Sequence, residues 1–117
     1  MTGRLPNAER ATVSTAKITH YLLARGHPRG GPKAAFFESF GFALDRWQEL
    51  RDAILAHAQT GAVVGTQTTP YGQVYEVNGL LGAPDGRNPV VLVVWMIRSG
   101  EDFPRLVTAV PSEEQSP

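Results

Sequence analysis

The sequence predicts an α+β fold, with N-terminal helices packed on one face of an antiparallel β-meander of about four strands. Three observations carry this expectation. Up to Gly61 apolar residues recur at helical spacing, and beyond it runs rich in Val, Thr and Tyr alternate as strands do. The links between those strands are short, which makes neighbours antiparallel. The chain has 117 residues, enough for one real core and too few for two. Helices that cover one face of such a sheet leave the other to solvent, a partner or a substrate.

Residues 1–13 read as an irregular lead-in, with Ala11-Thr12-Val13 a candidate short strand. Ser14 is an N-cap type, and Ile18, Tyr21, Leu22 and Arg25 follow at helical spacing. Gly26 should stop this helix in a left-handed C′ position, with Pro28 disfavouring any continuation. A second helix starts at Pro32, a favoured first helical residue; Ala34, Phe36, Phe37 and Phe40 form its apolar side and Gly41 ends it. Asp45 and Gln48 have capping-box spacing ahead of a third helix, whose buried stripe is Trp47, Leu50, Ile54 and Ala58.

Four strands are expected: 62–68, 73–81, 89–97 and 104–110. Thr69-Pro70-Tyr71-Gly72 and Pro84-Asp85-Gly86 supply turns. In the second strand Tyr75 and Val77 share one face, and Val74, Glu76 and Asn78 the other. The third strand is apolar on both faces, as a central strand is. Residues 14–110 thus form one domain, and 111–117 a loose acidic tail.

Several functions are excluded early. The chain has no cysteine, hence no disulfide, thiolate nucleophile or thiolate metal site. His20, His27 and His57 are scattered, without acidic partners at ligand spacing, so no metal or other cofactor is expected. No Gly-x-Ser-x-Gly elbow occurs. The N-terminus lacks the apolar stretch of a signal peptide, and no apolar run approaches the ~18 residues that span a bilayer, which predicts a cytoplasmic, non-membrane protein.

Net charge is zero but unevenly placed. Residues 1–33 hold six basic residues against Glu9 alone, and the remainder five basic against ten acidic. A neutral protein with a basic end still attracts anions locally. The basic end converges on Gly26-His27-Pro28-Arg29-Gly30-Gly31-Pro32-Lys33, a glycine-rich elbow before a helix. It is no nucleotide P-loop, since Pro32 stands where the lysine belongs and the loop follows a helix. The positive end of a helix dipole nevertheless favours an anion there, and Lys33 in the first turn calls for solvent or an anionic partner. His27 reads either as an acid/base group or as a backbone-bonding loop histidine. His57, near a helix C-terminus, suits a partial positive charge. Arg87 and Arg105 at strand edges are phosphate-fork candidates or surface ion pairs. Trp47, Phe36 and Trp95 read as core.

Larger motifs add a resemblance. Leu5-Pro6-Asn7-Ala8-Glu9-Arg10, Tyr21-Leu22-Leu23, His27-Pro28-Arg29-Gly30, Lys33-Ala34 with Phe37, and Tyr71-Gly72-Gln73-Val74-Tyr75 are the first of these. Pro84-Asp85-Gly86-Arg87, Trp95 and Gly100-Glu101-Asp102-Phe103-Pro104-Arg105-Leu106 complete the set. Together they resemble the bacterial domain of unknown function 6883 family over Leu5 to Pro111. Its members resemble one half of a two-gene toxin–antitoxin-type cassette, with a layout similar to the barnase, colicin and RelE class of ribonucleases. That resemblance implies metal-independent RNA cleavage, with His27, Lys33 and Thr108 catalytic and Arg29, Arg87, Arg105 and Tyr75 binding substrate. The implied partners are RNA and a small antitoxin-like protein. Two neighbourhoods depart from the family pattern: Leu92-Val93-Val94 lacks a hydroxylic residue before Trp95, and Val110 replaces an aromatic. Those losses fit an inactive relic, or a non-catalytic module that docks a partner on the open sheet face.

Overall fold

The computed structural model describes residues 3–113. α1 (Thr15–Lys17) runs directly into a π-helical turn, Ile18–Leu22. α2 spans Gly31–Ser39 and α3 spans Trp47–Thr60. The strands are β1 (Ala62–Thr69), β2 (Gly72–Leu80), β3 (Val90–Arg98) and β4 (Arg105–Pro111). They form one antiparallel sheet in the order β1-β2-β3-β4, the meander that the short links demand.

The core lies between the helices and one sheet face. Phe37 of α2 and Leu50, Ile54 and Ala58 of α3 meet Val77 of β2 and Val91, Val93 and Trp95 of β3. Each of the larger of these side chains contributes ~2 kcal/mol by leaving water. On β3 these residues alternate with half-buried Leu92, Val94 and Met96, which point to the uncovered face.

Local capping departs from expectation at three points. Ser14 does cap α1, its Oγ accepting from the Lys17 N–H at 3.2 Å. The helix then widens, the Leu23 N–H donating to Ile18 O at 2.9 Å, and ends before Gly26, which is not left-handed. Asp45 and Gln48 make no capping box; a 3₁₀ turn at Leu44–Arg46 feeds α3, and Asp45 pairs with Arg46 instead. His57 is buried, not a helix-end cation. Its Nε2 lies 2.8 Å from the Val91 carbonyl, and burial lowers its pKa against the upward pull of the Val91 and Gly79 carbonyls.

Both ends of the described chain are more tied down than the sequence suggested. Leu5 is in the core, Thr12 bridges Arg105 in parallel, and the Leu106 N–H donates to Thr12 O at 3.1 Å. Pro111 still belongs to β4, and the Ser112 N–H donates to Val90 O at 3.1 Å. The rest of the expected acidic tail, residues 114–117, lies outside the described residues.

Candidate anion-binding cleft

Three local features bring side chains together at the β4 edge. The π turn carries Tyr21. Such turns are rare single-turn insertions, often found at functional sites. The elbow folds back on that turn so closely that a Cβ on Gly30 would run into the Tyr21 carbonyl. β4 has one extra residue, because Trp95 pairs with Leu106 while Val94 pairs with Thr108. This bulge at Val107 re-aims Thr108, whose Oγ1 lies 3.0 Å from Tyr21 Oη.

The result is an open cleft of about 450 Å³ lined by Lys17, Tyr21, His27, Arg29, Val107 and Thr108. Lys33 stands beside it, its Nζ donating to Arg29 O at 3.1 Å. The ammonium groups of Lys17 and Lys33 each lie 5.4 Å from the Tyr21 ring centroid. No carboxylate lines the cleft, and among the described residues Lys17, Arg29 and Lys33 make no ion pair. Arg10, Arg25, Arg46, Arg51, Arg87 and Arg105, by contrast, are all paired to acids. Burial pushes the Tyr21 phenol up, but the Thr108 hydroxyl, Lys33 and Lys17 outweigh it and bring the pKa below the ordinary tyrosine value.

His27 is fixed by its backbone. Its Nδ1 accepts the N–H groups of Arg29 at 3.0 Å and Gly30 at 2.9 Å, and its carbonyl accepts the Gly31 N–H at 2.8 Å. In the neutral ring the hydrogen is therefore on Nε2, a donor. The same bonds occupy the N–H groups of Arg29, Gly30 and Gly31, and Pro32 has none. The expected anion attraction from the α2 start is thus largely consumed inside the elbow, and side chains supply the positive charge.

The other sequence candidates lie elsewhere. Arg87 is held by Asp85, donates to Ser39 O and stacks on Phe40, with its charge centre 4.6 Å from the ring. Tyr75 lies opposite Trp95 on the core side of the sheet. Arg105 forms a two-pronged pair with Glu101, both bonds 2.8 Å. Tyr21 is not among the candidates read from the sequence, where it stands as one of four residues at helical spacing; Lys17, four residues before it, is the one signal of a charged setting. Among the described residues no cluster of three or more His, Asp or Glu stands ready for a metal ion.

The molecule is thus an α+β meander domain with an unneutralised cationic cleft at one sheet edge. Residues 4–113 match the family described as Domain of unknown function (DUF6883), and the chain belongs to that family. Among solved structures it is similar to a chain of a contact-dependent growth inhibition toxin–immunity protein complex from Klebsiella pneumoniae 342. The TM-score is 0.68 at 17% identity, over 86% of this chain and 98% of that one. At that identity the likeness is one of fold. No curated protein matches the chain.

Proposed function

We propose that this protein is the toxin-like member of a two-component system and acts as a metal-independent endoribonuclease in the cytoplasm. One observation carries the reading. Three cations without acidic partners surround an acidified phenol and a strand hydroxyl in one open cleft. Uncompensated cations favour a phosphate, and a phenol held toward its ionised form is suited to take a proton.

In the proposed reaction Arg29, Lys33 and His27 Nε2–H hold the non-bridging phosphate oxygens. Tyr21, as phenolate, accepts the proton of the ribose 2′-hydroxyl, which Thr108 orients. The 2′-oxygen bonds to phosphorus while the 5′-oxygen departs and takes a proton from water at the cleft mouth. The products are a 2′,3′-cyclic phosphate and a 5′-hydroxyl. Lys17 and Lys33 steady the charge that builds on phosphate and phenol. The resemblance to a toxin–immunity complex supports a protein partner that restrains the activity.

The test is incubation of the purified protein with total RNA in the presence of EDTA, together with induced expression in a bacterial host. Cleavage with a growth defect is expected. Intact RNA and normal growth would remove the enzyme reading.

A second reading has its own observation. Val64 and Leu80 are exposed on the strands, 53% and 63%, and a cavity on the uncovered face is lined by Val64, Leu92 and Val110. A non-catalytic module docking a partner there predicts a stable complex that Val64→Asp breaks and Tyr21→Phe leaves intact.

A further inference from the structure

The cationic surface continues past Lys17. A second, smaller cavity of about 110 Å³ opens along the β4 edge, with Lys17, Arg98 and Arg105 in its lining beside the hydroxyls of Thr12 and Ser14. Lys17 lines both cavities. In the second one Arg105 is held by Glu101, whereas Arg98 makes no ion pair among the described residues and only feels Glu101 at longer range. Three cations therefore face one carboxylate, and a net positive charge remains. The sites form a track: Arg29 and Lys33 at one end, Lys17 in the middle, Arg98 at the other. Aromatic rings flank it, Tyr21 edge-on to His27 at 5.1 Å and Phe103 with the Arg105 guanidinium 4.8 Å from its centroid.

A single phosphate needs only one of these cavities. Two adjoining positive cavities bridged by a shared lysine suit successive phosphates of one strand. Resting on the ribonuclease reading, we infer that the substrate is single-stranded RNA laid along the β4 edge, with one phosphate at Arg29, Lys33 and Tyr21 and the next between Lys17 and Arg98.

The experiment compares two labelled ligands by fluorescence anisotropy on the full chain: a dinucleoside monophosphate, with one phosphate, and a ten-nucleotide oligouridylate. Non-cleavable 2′-O-methyl sugars keep both intact. Arg98→Gln is expected to weaken the ten-mer roughly fivefold and to lower its salt slope by about 0.7. The short ligand should bind Arg98→Gln and wild type alike, whereas Arg29→Gln should weaken both. Ten-mer binding that ignores Arg98→Gln overturns the track and leaves the Tyr21 cleft standing. A wild type that binds neither ligand overturns the nucleic-acid reading itself. A polyglutamate peptide that binds as tightly as the ten-mer, with the same dependence on Arg98, overturns the RNA assignment in favour of an acidic protein.

Discussion

In the proposed reaction Tyr21 takes the proton, and its ionisation is open to a direct check. Its folded pKa lies below the ordinary value near 10.0, because Thr108, Lys33 and Lys17 favour the phenolate more than burial opposes it. Cleavage should therefore rise with pH, with its inflection below that of a free tyrosine. Lys33→Ala should move that inflection upward in a pH–rate profile, and an unmoved inflection would assign the titration to another group. His27 yields a contrasting prediction. His27→Asn keeps an acceptor for the two backbone N–H groups and should preserve the elbow, but it loses the Nε2–H phosphate donor and should bind RNA more weakly, while His27→Ala should lose both. RNA affinity that His27→Asn leaves unchanged would show that Nε2 does not hold the phosphate. His57 affects stability alone. The unfolded chain takes up a proton near pH 6.5, and the folded chain only at lower pH. Between those values the unfolded state binds more protons, so stability should fall as pH drops below about 6.5. His57→Gln should flatten that part of the denaturation midpoint–pH curve.

At the scale of elements, the site exists because a π turn, a tight elbow and a bulged edge strand meet. Gly30 is the pivot, since any side chain there collides with the Tyr21 carbonyl. Gly30→Ala should cost ~1–3 kcal/mol by overpacking and shift the elbow off the cleft. Urea denaturation reads the first effect, and loss of the Tyr21–His27 ring contact by NMR the second. Helix and strand positions were legible because periodicity and turn residues act locally; all four strands fall within a residue or so of expectation. The residues expected to converge were His27, Lys33 and Thr108; His27 and Thr108 line one cleft, and Lys33 stands beside it. The π turn was not legible, because Ile18, Tyr21 and Leu22 satisfy ordinary helical spacing equally well. The failed capping box at Asp45 and the stacking of Arg87 on Phe40 depend on contacts that sequence spacing does not encode.

For the whole molecule, zero net charge conceals a division of labour. Most arginines are matched to acids and decorate the surface, where each pair is worth ~0–1 kcal/mol. Lys17, Arg29, Lys33 and Arg98, without ion pairs among the described residues, lie along the β4 edge, while Arg4, also without an acidic partner, donates to Gln59 O at 2.6 Å. The central claim is that this edge cleaves RNA with Tyr21 as the proton acceptor and no metal ion. The most direct measurement is the single-turnover cleavage rate of a defined RNA in EDTA, wild type against Tyr21→Phe, with both folds checked by circular dichroism. A 2′,3′-cyclic phosphate product and a loss of ~100-fold or more in the variant are expected. Equal rates for the two proteins, or cleavage that requires an added metal ion, would contradict it.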